Sequence, residues 1–347
     1  MRAWVIEAHG GPEVFKEVEL PTPEPGPGEV RIKVAATSVN PVDYKIRSGA
    51  AEALCPPKPA VLHGDVAGVV DKVGAEVQHL KPGDEVFGCI GGCGSLQGAL
   101  ADYAIASKRQ VIRAPKSIPL THAAALPLVS ITAYEGLQKA GIYEIDDRTT
   151  VLVHGATGGV GHIAAQAFKA EGARVAATVG SAEKAKIAKQ FGVDQVINYK
   201  QESVEQYTQR ITEMEWETSE DTSMKLKGFD IVFDTVGGSN IAASIEAAKL
   251  NGQVICIQGR SEIDGGMLHA KGISFHLVFM LIPLLHGTLE PSHLQILMTV
   301  GKHVDDKKIK PLIDAQRFTF DQIADAHAYA ESGEQVGKVL VVHPDFV

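Results

Sequence analysis

Cysteine is scarce and scattered. The chain of 347 residues carries four, Cys55, Cys89, Cys93 and Cys256, and no Cys-x-x-Cys. That is too few and too irregular for a disulfide framework, so a reducing, cytoplasmic setting is expected. Excess positive charge is also missing. Lys plus Arg number 33 against 42 Asp plus Glu, a net charge of −9, which disfavours nucleic acid or an anionic membrane as partner and leaves a small molecule as the natural one. No run is long and apolar enough to cross a bilayer. The greasiest, Ile273 to Leu285, holds His276 and Pro283 and falls short of the roughly 20 residues a membrane helix needs. It reads as a buried strand plus helix, or as a subunit contact. The opening MRAWVIEAHGG has no apolar signal core and the closing HPDFV is no lipidation or retention signal, so nothing is expected to direct export. His-Glu-x-x-His, the nucleophile elbow and the P-loop are all absent, and hydrolase and phosphotransferase chemistry lose their support with them.

What is abundant is glycine, with 35 residues. Glycine weakens regular elements, so such numbers mark turns and places where backbone approaches a ligand. The length suggests two domains. Up to about residue 125, short β-type runs such as EVRIKVAAT (29–37), DVAGVVDKVG (65–74) and GDEVFGC (83–89) are separated by turn signals, which predicts a mainly β domain. Beyond it, VLVHGATGGVGHIAAQAFKAEGARVAATVG reads as apolar strand, glycine loop, Ala-rich helix and second strand. A helix over 183–191 and the runs VDQVINY, FDIVFDTVGG and GQVICIQG continue the alternation, predicting a parallel, doubly wound sheet. The tail, FTFDQIADAHAYAESG then GKVLVVHP, predicts a helix and a closing strand that return to the first domain. The acidic segment EMEWETSED (213–221) lacks apolar periodicity and reads as a solvated loop.

The strongest chemical signal is the loop Gly155-Ala156-Thr157-Gly158-Gly159-Val160-Gly161 between strand and helix. Small residues there let the chain turn tightly, bring backbone N–H groups to a pyrophosphate at the helix N-terminus, and pack helix on strand. The choice of cofactor lies at the end of the second strand, where NAD binders place an acid. Here stand Gly180 and Ser181, with Lys184 one helical turn on. A carboxylate would repel a 2′-phosphate, whereas Ser181 and Lys184 can donate to one, so NADPH is expected.

With these features the chain resembles the medium-chain dehydrogenase/reductase superfamily, and within it the zinc-free quinone oxidoreductases and enone reductases related to zeta-crystallin. The carriers are Asn40-Pro41-Val42-Asp43, Gly64-Asp65-Val66-Ala67-Gly68-Val69-Val70 and Lys81-Pro82-Gly83-Asp84-Glu85-Val86, followed by Leu126-Pro127 with Thr132-Ala133-Tyr134. The glycine loop, Asp234-Thr235-Val236-Gly237 and Gly337-Lys338-Val339 complete the set. The resemblance implies a GroES-like mainly β domain from residues 1–124 and 300–347 and a Rossmann domain from 125–299. Zinc members need a Cys, a His-Glu pair and a second Cys; the matched positions are Asp43, Gly64, Asp65 and Leu128, so no such site is expected. Cys89 and Cys93 are two ligands where a structural zinc lobe needs four. His63 is offset by one residue from the matched histidine and reads as a cleft-lining or hydrogen-bonded side chain.

Without a metal, quinones and α,β-unsaturated carbonyls are suitable hydride acceptors, because the charge moves onto a remote oxygen. By the same resemblance, Asn40 should reach the substrate, Thr132 the nicotinamide or diphosphate, Tyr199 the 2′-phosphate beside Lys184, and Gly259-Arg260 the nicotinamide side. Many quinone oxidoreductases have a Tyr where this chain has Lys45, so Lys45 is a candidate to hold the substrate oxygen or donate to an enolate. A homodimer formed through GISFHLVFML (272–281) is expected. Two alternatives stay open: an NADPH-binding protein without turnover, and a zinc-dependent alcohol dehydrogenase with an atypical ligand set.

Overall fold

The strand Glu29–Val39 shows how the sequence builds the first half of the molecule. Val30, Ile32 and Val34 are buried while Glu29, Arg31 and Lys33 are half-exposed, the period of two that a pleated strand imposes. From Val34 onward every residue is buried, as in a strand covered on both faces. The structure is a computed structural model describing residues 1–142, 144–215, 227–288 and 291–347, without the side chains of 213–215 and 291. The chain divides into two compact units, one comprising Met1–Ile131, Met280–Lys307 and Pro311–Val347, the other Thr132–Phe279 and Lys308–Lys310. The return to the first unit begins at Met280, ahead of the position near 300 expected from the sequence, because Leu284, Ile296, Leu297 and Val300 bury themselves there.

The first unit is the expected mainly β domain. Its larger sheet runs Phe318–Thr319, Val339–Val342, Glu29–Val39, Asp65–Val73, Glu85–Cys89, Val111–Arg113, with Tyr103–Ser107 also paired to Glu29–Val39. A smaller sheet joins Phe15–Glu19, Arg2–Ile6 and Ala60–Val61. Directly after Glu29–Val39 comes the helix Pro41–Ser48. Asn40 caps it in an extended conformation, its N–H donating to the Asp43 carboxylate at 2.7 Å. Pro41 supplies a preset φ at the first helical position and Gly49 ends the helix at φ +88.

The second unit is the doubly wound sheet. Its six strands, in chain order Thr150–His154, Arg174–Val179, Gln195–Asn198, Phe229–Asp234, Ala248–Cys256 and Ser274–Leu277, are all parallel and lie in the spatial order 3-2-1-4-5-6. That is the order of dinucleotide-binding folds, whose ligands sit at the carboxyl ends of strands one and four where the winding reverses. The buried residues Leu152, Ala176, Ile197, Val232 and Val254 form the centre of its core. The helix Gly159–Ala170 buries every residue from Gly161 to Phe168, as a helix covered all round does. Of the acidic segment, 213–215 end the helical stretch Gln209–Glu215, and 216–221 lie outside the described residues. The greasy run resolves into the strand Ser274–Leu277 and the helix Ile282–His286. No helix among the described residues is long and apolar enough to cross a membrane.

Candidate functional site

In the second unit, Gly155 turns the chain out of the first strand at φ +72, and the Gly158 N–H closes the turn onto the Gly155 carbonyl at 2.9 Å. The helix begins at Gly159 with Gly158 as its cap. At Gly161 a Cβ would collide with the Gly155 carbonyl oxygen, and at Gly155 one would stand 2.7 Å from the Thr235 hydroxyl. Glycine is therefore demanded at Gly161 by close backbone approach and at Gly155 by its left-handed φ. Ala156 and Thr157 are buried, Gly158 is exposed, and Gly159 and Val160 are half-buried. The first N–H groups of a helix have no intrahelical acceptor and carry the positive end of its dipole. No acidic side chain occupies this first turn, so the loop is suited to an anionic diphosphate.

At the end of the second strand, the Ser181 hydroxyl caps the helix Ala182–Gln190 by accepting the Lys184 N–H at 3.2 Å. Its own proton remains to be donated. Lys184 is half-buried one turn along. Tyr199, just past the third strand, hangs from the Val179 carbonyl by its N–H at 3.3 Å and is 57% exposed. A Cβ at Gly180 would stand 2.9 Å from the Tyr199 hydroxyl oxygen, so the absence of a side chain at 180 makes room for that ring. Gly180, Ser181 and Tyr199 thus lie together, and Lys184 joins them through its backbone N–H. The other predicted residues of this unit lie apart from them in the chain: Gly259 and Arg260 are exposed beyond the fifth strand, and Thr132 is buried in the helix Pro127–Lys139. Asp234 proves to be a scaffold residue. One of its oxygens accepts the Val236 and Gly237 N–H groups at 2.8 and 2.9 Å, the other the Ser244 hydroxyl at 2.8 Å.

In the first unit, Asn40 is 1% exposed and sits in a polar network. Its Nδ2 donates to Asp65 Oδ2 at 2.8 Å and, at a long 3.4 Å, to the Ser38 carbonyl. Its Oδ1 accepts from Lys338 Nζ. Asp65 also accepts from the Ser38 hydroxyl at 2.6 Å and, through Oδ1, from the Leu128 N–H at 2.8 Å. Burial pushes the Asp43 carboxyl up to about 7, against the Asn40 N–H, which favours its charged form. Lys45 is half-buried in the same helix as Asp43. The four positions matched to zinc ligands do not supply a ligand set. Asp43 and Asp65 carry carboxylates, Leu128 offers only its N–H to Asp65, and a Cβ at Gly64 would stand 2.8 Å from the Gly91 carbonyl and 3.2 Å from Cys89 Sγ. Among the described residues no group of three or more His, Cys, Asp or Glu is placed to hold a metal ion. Burial raises the Cys89 thiol well above its ordinary range and the Cys93 thiol to about 12.

His63, at φ +71, is fully buried and meets His327 through an Nε2···Nε2 contact of 2.8 Å. Their tautomers follow from a neighbour. The Thr37 hydroxyl spends its proton on the Asp65 carbonyl at 2.6 Å, so it can only accept from His63 Nδ1 at 3.3 Å. His63 therefore carries its proton on Nδ1 and accepts at Nε2, His327 donates from Nε2, and His327 Nδ1 is left as a bare buried lone pair. Sequence reasoning missed the parts played by Lys338, Asp65 and His327.

Residues 26–116 match the family described as Alcohol dehydrogenase GroES-like domain, and residues 191–341 the family described as Zinc-binding dehydrogenase. A 2-methylene-furan-3-one reductase of Solanum lycopersicum is 34% identical over 99% of this chain and 79% of its own length. A chloroplastic NADPH-dependent alkenal/one oxidoreductase of Arabidopsis thaliana is 32% identical over 98% of this chain and 79% of its own. Among solved structures, the Escherichia coli quinone oxidoreductase complexed with NADPH superimposes with a TM-score of 0.81 at 28% identity, covering 99% of this chain and all of the other.

Proposed function

Since the chain belongs to the medium-chain dehydrogenase/reductase superfamily and is an oxidoreductase of that family, we propose that it reduces quinones or α,β-unsaturated carbonyls at the expense of NADPH and without zinc. The observation that carries the cofactor choice is the set of Gly180, Ser181, Lys184 and Tyr199 beyond the glycine loop. An acid is missing where a ribose diol would be read, and a serine hydroxyl and a lysine one helical turn on are groups that can donate to a phosphate. When bound, NADPH supplies the hydride. The N–H groups of Gly159, Val160 and Gly161 hold the diphosphate, with Ala156, Thr157 and Gly158 shaping the turn. Ser181, Lys184 and Tyr199 hold the 2′-phosphate, and Thr132, Gly259 and Arg260 line the nicotinamide side.

Asn40 donates from Nδ2 to the acceptor oxygen, where negative charge gathers as a conjugated carbon is reduced. Lys45 is a second donor to that oxygen, and water protonates the enolate. The residues at the zinc-matched positions do not fit a zinc ion, so no step runs through one. All four cysteines are unpaired, in keeping with a reducing compartment such as the cytoplasm. The edge strand Ser274–Leu277, with Leu277 47% and Phe279 45% exposed, is the surface through which two copies pair, which light scattering on a sizing column checks. The activity test follows nicotinamide absorbance on adding 1,4-benzoquinone, 9,10-phenanthrenequinone or a 2-alkenal to protein and NADPH. Cofactor binding with none of these acceptors consumed would leave a binding protein, and oxidation of NADH as readily as NADPH would overturn the cofactor choice.

A further inference from the structure

Two opposite charges are buried together in the first unit. The side chains of Lys338 and Asp65 are 3% and 0% exposed and stand 3.6 Å apart. Lys338 Nζ donates to the Val39 carbonyl at 3.0 Å and to Asn40 Oδ1. Both oxygens of Asp65 are taken up by donors from Leu128, Ser38 and Asn40. Burial works against the Lys338 charge, and the Asp65 and Asp43 carboxylates work to keep it. Such a pair is a poor way to gain stability, since an apolar pair of similar volume serves as well or better.

What the pair does achieve is orientation. The two ends of a carboxamide have nearly the same shape, and only their partners distinguish them. An ammonium has no acceptor, so it fixes the oxygen of Asn40 on its own side. A carboxylate has no donor, so it fixes the nitrogen on the other. One amide hydrogen is then spent on Asp65, and the second is left with the 3.4 Å contact to Ser38. Drawing electron density toward Oδ1 also makes the Nδ2 hydrogens better donors.

We propose that Lys338 and Asp65 are positioning residues that lock the Asn40 carboxamide so that its second N–H, held only by the 3.4 Å contact to the Ser38 carbonyl, exchanges that contact for the oxygen of the quinone or enone. The proposal rests on Asn40 being the donor to that oxygen. Of the four positions matched to zinc ligands, two carboxylates, Asp43 and Asp65, remain beside this ammonium, so the positive charge of the region is a side chain's own.

The test has one arm that needs no turnover. The chain holds four asparagines, at 40, 198, 240 and 251, and only Asn40 is buried. With asparagine labelled by nitrogen-15, one side-chain NH₂ pair of the holoprotein should exchange with D₂O far more slowly than the other three and vanish in Asn40→Ala. In Lys338→Met, or in Lys338→Gln should the first fail to fold, that pair should shift and exchange as fast as the others, and Lys338→Arg should restore it. In the second arm, Asn40→Ala and Lys338→Met should each lower kcat/KM for 1,4-benzoquinone about 10- to 100-fold, as for loss of a charge-assisted hydrogen bond. NADPH affinity should stay within about 2-fold, and the double variant should fall within about 3-fold of Asn40→Ala, as for residues acting through one another. An unmoved Asn40 signal in Lys338→Met, or losses that multiply in the double variant, overturns the lock. Undiminished turnover by Asn40→Ala overturns the reading of Asn40 as donor, and that result is distinguishable because the labelled signal still reports on Lys338.

Discussion

His327 gives the first unit a weakness to acid that can be worked out beforehand. Its ring is fully buried between His63 and Phe15, whose ring centroid lies 4.7 Å away. Burial pushes its pKa well below the usual 6.5, helped by the neighbouring His63 and Arg47. Burial likewise takes His63 down to about 3, with the Lys338 charge adding to it. The unfolded chain binds a proton at each imidazole below pH 6.5 and the folded chain does not. The stability these rings contribute is therefore complete above 6.5 and lost as pH falls below it, down to about 3 for His63. At pH 5 the deficit is 1.5 units, which at about 1.4 kcal/mol per unit costs about 2 kcal/mol per ring. Asp43 acts with the opposite sign. Its folded pKa is raised to about 7 from 3.8, so it adds stability in mild acid that is lost as pH rises through 7. Replacing His327 with Phe leaves the Asp43 contribution in place, so the difference between the two proteins isolates one ring. Urea midpoints at pH 5.0 and 7.5, read by tryptophan fluorescence and converted with a common m value, should show the variant losing about 2 kcal/mol less than the native chain over that interval. Parallel losses would refute both the tautomer assignment and the neutrality of His327.

Three further outcomes test the remaining sites. Lys184→Ala should raise KM for NADPH about 10- to 100-fold while leaving that for NADH within about 2-fold, since only the phosphate contact is removed; equal effects would mean that the 2′-phosphate lies elsewhere. Gly161→Ala drives a methyl into the Gly155 carbonyl, so fluorescence titration should show at least about tenfold weaker NADPH binding and urea unfolding a loss of about 1–3 kcal/mol. An unchanged affinity would show that the loop is not the diphosphate cradle. A thiol reagent at pH 8 should modify Cys55 first, because Cys89, Cys93 and Cys256 are buried with thiols pushed far up, to about 12 and about 11 for the last two. Rapid release of four equivalents from native protein would contradict that burial.

The parts of the molecule that could be read from the chain are those whose cause is local. TVLVH, the glycine loop and the Ala-rich helix are contiguous, so period and composition placed them together. Counting on from the loop led to Gly180, Ser181 and Lys184 because the second strand has a fixed length to cross. The Asn40 network was hidden for the opposite reason. Lys338 meets Asn40 across 298 residues, and His63 meets His327 across 264. Neither contact leaves a spacing in the sequence, and Lys338 there is simply the residue before the strand Val339–Val342. The EMEWETSED segment looked like loop throughout, yet its first three residues close the helical stretch Gln209–Glu215, where continuation of the preceding turns outweighs weak local preference.

The strand Val339–Val342 has a consequence for the order in which the molecule is made. It lies between Phe318–Thr319 and Glu29–Val39 in the larger sheet of the first unit, yet it follows Glu29–Val39 by about 300 residues of chain. At about 5–20 residues per second, the edge of Glu29–Val39 that it covers waits roughly 15–60 s for its partner. The six strands of the second unit arrive one after another in that interval and can close their own sheet. The nascent chain therefore carries a finished α/β unit beside an open, aggregation-prone β edge. Slower translation between the two strands lengthens the time for which that edge stays open.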